Sequence, residues 1–258
     1  MFNSKQKIAG FGLLAAAMAA SMNTMADDHE LPDARALIDR HIENVGGREA
    51  IEAEADAVMK GTFSMPAAGL TGDLVVASRA PAERVIHIEL PGIGSIQTGF
   101  SPDLAWSVDP FMGPRLIEGD EFKALMESSM PAAVMRDPEF VKAATTVEQT
   151  EFLDQACYRV KLEWRSGRQT HDCYAVESGL LIATESTETS PMGEMQTVTM
   201  MDEYQEMHGF MVPTVTRVQT MGQEQVLTMT EFNLETPDAE LFELPLAIQT
   251  LVEDSDID

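Results

Sequence analysis

Basic residues are scarce in this chain of 258: 17 lysines and arginines stand against 43 aspartates and glutamates. A surface this acidic repels phosphate backbones and anionic headgroups, so nucleic-acid binding is disfavoured and any membrane encounter has to be apolar or receptor-mediated. Cysteine is nearly missing, with only Cys157 and Cys173. There is no Cys-x-x-Cys pair, and none of His29, His41, His87, His171 and His208 forms a His-x-x-x-His spacing, so no metal motif is present. His87 and Glu89 share a strand face, but a solvated polar face opposite Ile86 and Ile88 accounts for them. The chain also lacks a Gly-x-Ser-x-Gly elbow. Its nearest string, Gly92-Ile93-Gly94-Ser95-Ile96, connects two strands and opens no helix. With 43 carboxylates no Asp/Glu couple can be singled out as acid and base, so no residue asks for catalysis or for a cofactor.

Long hydrophobic runs are missing everywhere except at the start. Lys5 and Lys7 precede an uncharged stretch from Ile8 to Ala20, and Thr24-Met25-Ala26 supplies small residues before Asp27. A basic start, an apolar core too short to span a bilayer and a small-residue cut site predict a secretory signal covering residues 1–26. No cysteine near the cut can take a lipid. Residues 27–258 then carry 15 basic and 43 acidic residues, a net charge of −28, and are expected to be soluble and periplasmic.

The remaining 232 residues fit one domain. Ala34, Leu37, Ile38, Ile42 and Val45 fall on one stripe at helical spacing, with Gly46-Gly47 as a stop, and a short second turn is expected near Arg48–Glu52. From Ala57 the period becomes two, and about eleven strands follow in hairpin order, joined by turns such as Ser166-Gly167, Ser178-Gly179, His208-Gly209 and Met221-Gly222. Between Glu118 and Ala144 helical spacing returns for one or two short helices. The fold class expected is mainly β (α+β), a single antiparallel sheet with helices covering one face or its mouth, over residues 27–246. Residues 247–258 read as an acidic, frayed tail.

The cysteines lie on successive strands around Ser166-Gly167. A two-residue turn places Cys173 on the opposite face from Cys157. A three-residue turn restores the face but leaves the two about four residues, roughly 13 Å, out of register, so two free thiols are expected. Methionine is abundant: 14 of the 18 lie beyond residue 26. Flexible thioethers suit irregular apolar partners, and as a set they favour a deformable cavity.

Gly72-Asp73-Leu74-Val75-Val76, then Arg79-Ala80-Pro81, then Asp103-Leu104-Ala105-Trp106-Ser107-Val108-Asp109-Pro110-Phe111 resembles LolA-type periplasmic carriers, which escort lipoproteins to the outer membrane. In that family a Gly-Asp-Leu strand leads into an Arg-Pro corner, and a later strand presents a Trp before a Pro-Phe turn. Leu241-Phe242-Glu243-Leu244-Pro245 is similar to the family's Phe-x-x-Pro close. The resemblance implies an unclosed antiparallel β-barrel whose concave face takes acyl chains beneath a helical lid or plug. It also implies that Arg79 ties the lid to the barrel. Candidate lining residues are Met59, Phe63 and Val76, then Ile86, Ile88 and Ile96, then Phe100 and Trp106, and finally Leu162 and Trp164. Ala80 is inserted between Arg79 and Pro81, and Glu83-Arg84-Val85 replaces an aromatic-rich stretch, so the resemblance is to the superfamily and not to the dedicated carrier. The expected function is non-enzymatic carriage or binding of lipidated or acylated ligands in outer-membrane lipoprotein sorting. The alternative is a lipid-sensing or scaffold module of an envelope signalling system that meets a membrane or periplasmic protein partner.

Overall fold

In the computed structural model, residues 30–48, 51, 56–79, 82–129, 137–190 and 193–255 are described. The expectations for residues 1–26 and for most of the turn after Arg48 lie outside them. Helix α1 (Ala34–Asn44) opens the domain, with Asp33 as its N-cap accepting from the Ala36 amide at 3.0 Å. Ala34, Leu37, Ile38 and Ile42 are all buried, as their spacing requires.

Thirteen strands follow: β1 (Ala57–Met65), β2 (Leu70–Arg79), β3 (Glu83–Leu90), β4 (Gly94–Phe100), β5 (Ala105–Asp109) and β6 (Gly113–Leu116), then β7 (Val141–Phe152), β8 (Gln155–Trp164), β9 (Gln169–Ala175), β10 (Leu181–Ser190), β11 (Gly193–Met207), β12 (Phe210–Thr220) and β13 (Gln223–Asn233). Helix α2 (Gly119–Ser129) joins β6 to β7, and helix α3 (Leu246–Ser255) closes the chain. All the strands form one antiparallel sheet in the order β6-β5-β4-β3-β2-β1-β13-β12-β11-β10-β9-β8-β7. Every neighbour is a hairpin neighbour except β1 and β13, so the chain's two halves join at their outer ends and the free edges, β6 and β7, fall mid-chain. The expected antiparallel sheet is present, with thirteen strands among the described residues where about eleven were expected. The two that periodicity missed are those edges: β6 has four residues and contains Pro114, and β7 is largely exposed, so neither needs a strict apolar alternation.

The sheet is curled. Helix α2 touches both β4 and β10, which are seven strand spacings apart. Flat, that separation is about 34 Å, whereas eleven helical residues span about 16 Å. The inner face is therefore the one carrying α1 and α2.

Two sequence expectations are corrected. The C-terminal segment is not frayed throughout, because Leu246–Ser255 is helical, contacts β6, and buries Ile248 completely. An apolar anchor outweighs the local acidity there. The cysteines form a disulfide with a Cα–Cα distance of 5.6 Å. The Trp164 amide bonds the Arg168 carbonyl across a three-residue loop, and the ladder pairs Cys157 with Ala175 and Arg159 with Cys173. The two cysteines are thus diagonal neighbours two residues out of register, not four, and within bridging reach.

Candidate functional site

Cross-strand pairing assigns faces directly, since partners share a face and neighbours along a strand alternate. Met59 pairs with Val76, Val76 with Ile86, Leu74 with Ile88, and Ile88 with Ile96. Phe63, Leu74, Val76, Ile88 and Leu90 form one buried cluster on the inner face, flanked by half-buried Met59, Met65, Ile86, Ile96 and Leu227. Six of the ten residues picked from sequence, namely Met59, Phe63, Val76, Ile86, Ile88 and Ile96, therefore meet on one apolar floor.

The other four are elsewhere. Leu162 and Trp164 lie on the inner face of β8 but are sealed with Leu37 and Ile38 of α1, Tyr174 and Phe210 in a separate core. Phe100 also faces inward, beneath α2, with its ring 5.9 Å from that of Phe122 and with Leu125 and Met126 packed nearby. Trp106 is on the opposite face: it pairs with Gly99, and a Cβ added there would lie 2.3 Å from the indole. Its ring helps line an outer cleft of about 200 Å³ with Val85, Phe242 and Leu244. Strand parity decides this, because Phe100 pairs with Ala105 and so places Trp106 outward.

Arg79 is likewise on the outer face. Its Nε donates to Glu83 at 2.6 Å, and its guanidinium stacks 4.2 Å from the centre of the Phe242 ring. It meets the C-terminal segment beside β2 and β3 and not a helix on the inner face; the arginines that bind such a helix are others. Arg115 of β6 donates to Glu121 of α2 at 2.9 and 2.6 Å. Arg168, in the β8–β9 turn, donates to Glu127 of α2 at 3.5 Å. Glu121 and Glu127 are two helical turns apart at most, yet their partners come from opposite ends of the sheet order, so α2 is a strap across the open seam.

Two inner-face polar features were missed. Asp172, 1% exposed, accepts from Tyr174 Oη at 3.0 Å and Thr184 Oγ1 at 2.9 Å, while Trp164 Nε1 donates to Thr170 Oγ1 at 3.0 Å. The alternation of Thr170, Asp172 and Tyr174 is the signal that could have placed them inward. Arg84 pairs across the ladder with Ser78 and Phe100, so it also faces in. Its Nε donates to Ser78 Oγ at 3.3 Å, and burial holds the guanidinium below its usual pKa. On the outer face, a cleft of about 170 Å³ beside the disulfide is lined by Glu148, Arg159, His171 and Glu185. Arg159 bridges the two glutamates, and His171 is shifted down, first by desolvation and then by Arg159. Among the described residues no group of three or more metal-ligating side chains is assembled, and no helix is long and apolar enough to cross a membrane.

No protein-family model matches the chain, and no curated protein matches it by sequence. Solved structures do. A LolA superfamily protein from Nitrosomonas europaea superposes with a TM-score of 0.55 at 13% identity, covering 83% of this chain and 99% of that one. A putative outer membrane lipoprotein-sorting protein domain from Vibrio parahaemolyticus gives a TM-score of 0.48 at 10% identity, covering 82% of this chain and 97% of that one. With an unclosed antiparallel sheet and helices on its inner face, the chain has a LolA-like fold.

Proposed function

We propose that this protein is an exported, periplasmic carrier or binding protein for lipidated or acylated molecules, and that it catalyses no reaction. The observation that carries the reading is the continuous apolar floor across β1–β4 under a strapped, unclosed seam. Methionines enter its margin: Met59 and Met65 border the floor, and Met126, on the strap itself, packs beside Phe100, where adaptable side chains let a chain of variable shape be packed. Each methylene buried there stabilises the complex by about 0.8 kcal/mol. A chain of ten methylenes thus offsets association costs and leaves roughly micromolar binding.

Phe63, Leu74, Val76, Ile88 and Leu90 of the floor are buried in this structure, so loading includes an opening step. The side chains fastening α2 at both ends are charged, and water can replace their partners more readily than it can replace an apolar contact. Cargo of this kind fits lipoprotein sorting, with acyl chains as the direct partner and a membrane or periplasmic protein as donor or acceptor. Native mass spectrometry of the protein purified from its host tests the reading. A co-purifying acylated species is expected, and a ligand-free protein that also fails to take up added dodecanol would refute it.

A further inference from the structure

The apolar floor ends at a charge. Among the inward positions of β1 to β4 (Ala57 to Met65, Leu70 to Ser78, Arg84 to Leu90 and Gly94 to Phe100, taken alternately), Arg84 alone is ionisable. It stands beside Ile86 and between Ser78 and Phe100, so its guanidinium lies where the floor meets the apolar residues under α2. Its hydrogen bond to the Ser78 hydroxyl uses one of five guanidinium donors. Among the described residues no carboxylate pairs with it. Glu83, next in sequence, points to the outer face and is bound to Arg79. This is unusual in a chain where acids outnumber bases by more than two to one. Half-buried and with no counter-charge among the described residues, the guanidinium is costly to hold and its fork suits a planar or tetrahedral anion.

We infer that Arg84 is a headgroup subsite, and that the ligand on the floor is an amphiphile whose polar end carries a negative charge, a carboxylate or a phosphate, bound by the Arg84 fork while its chain lies over Ile86, Ile88 and Val76. This rests on the carrier reading above and names the ligand class for the same site. The strongly acidic exterior would repel such an amphiphile at long range, so its selection depends on the interior charge and not on steering.

The test compares four probes of equal chain length by calorimetry on the purified protein: dodecanoate, dodecyl phosphate, dodecanol and dodecyltrimethylammonium. One or both anions should bind about tenfold or more tighter than dodecanol, and the cation weaker than dodecanol, as charge-assisted bonds to a partly desolvated fork require. The tighter anion assigns the headgroup as carboxylate or phosphate. In Arg84→Gln the anion preference should vanish with dodecanol affinity kept within about twofold, while Arg79→Gln, on the outer face, should keep the preference. If dodecanol binds as tightly as both anions, or if the preference survives Arg84→Gln, the subsite is wrong and the carrier reading stands. If no probe binds, both fall.

Discussion

Arg115 on the edge strand β6 and Glu121 on α2 face each other in a two-pronged ion pair, with donor distances of 2.9 and 2.6 Å. Together with Arg168 and Glu127 at the other end, this pair makes a short helix do what backbone hydrogen bonding does elsewhere in the sheet, namely hold β6 near the strands beyond the seam. The two fasteners differ in burial. The Arg168–Glu127 side chains are 16% and 9% exposed, against 28% and 26% for the first pair.

Loosening the strap should therefore depend on which end is cut. Glu127→Gln, which removes a charge-assisted bond to Arg168 at the more buried end, is expected to lower stability by about 1–3 kcal/mol. Glu121→Gln, at the more exposed end, should cost under about 1 kcal/mol. Amide hydrogen exchange in α2 should accelerate in both, and denaturant titration reads the difference. Equal costs would show that the burial contrast does not govern the strap.

The disulfide closes a sequence separation of 16 residues across the β8–β9 hairpin. On chain-entropy grounds a loop of that size contributes about 3 kcal/mol. The double variant Cys157→Ala/Cys173→Ala should lose roughly that amount by guanidinium unfolding, and reduction of the wild type should approach the same value. Free-thiol titration of the unfolded, unreduced protein should find none.

Trp106 is seated on the bare backbone of Gly99. A methyl group at that position requires the indole to move by more than an ångström, so Gly99→Ala should destabilise by about 1–3 kcal/mol and red-shift the Trp106 emission, leaving ligand uptake on the inner face unchanged. Trp106→Phe in the same background should relieve part of the cost.

His171 is expected to titrate below the ordinary histidine value of 6.5, because partial desolvation, and after it Arg159, disfavour its charged form. The sign follows from linkage: the unfolded chain takes up this proton more readily than the folded one, so its contribution to stability is present above pH 6.5 and is lost as pH falls through the lower folded value. The imidazole is only partly desolvated, so the effect is small, and proton NMR measures the midpoint directly. Arg159→Gln should raise it, and a midpoint unmoved by that substitution would show that Arg159 does not contribute to the shift.

The amphipathic stripe of α1 and the alternation from Met59 to Ile96 needed no tertiary information, because a buried face enforces its period on the sequence. That is why six of the ten candidate lining residues were found on one floor. Trp106, expected as a lining residue, and Arg79, expected as a lid latch, both lie on the outer face, because a motif gives residue order but no parity. Parity is set by register with the neighbouring strand, where Phe100 meets Ala105 and Ser78 meets Arg84. Leu162 and Trp164 obeyed the alternation, but their period could not tell which apolar element covers them. α1 covers them already.

By itself, then, the sequence determined an acidic, mainly antiparallel β domain with helices at its start and middle, since composition and hydrophobic period are local properties of the chain. Tertiary structure alone decided which arginine faces the interior, that Cys157 and Cys173 come within bridging distance, and that Ile248 anchors the C-terminal helix. Each of these depends on pairing between segments far apart in sequence or on a one- or two-residue difference in register, and a shift of one residue carries every side chain of a strand to its other face.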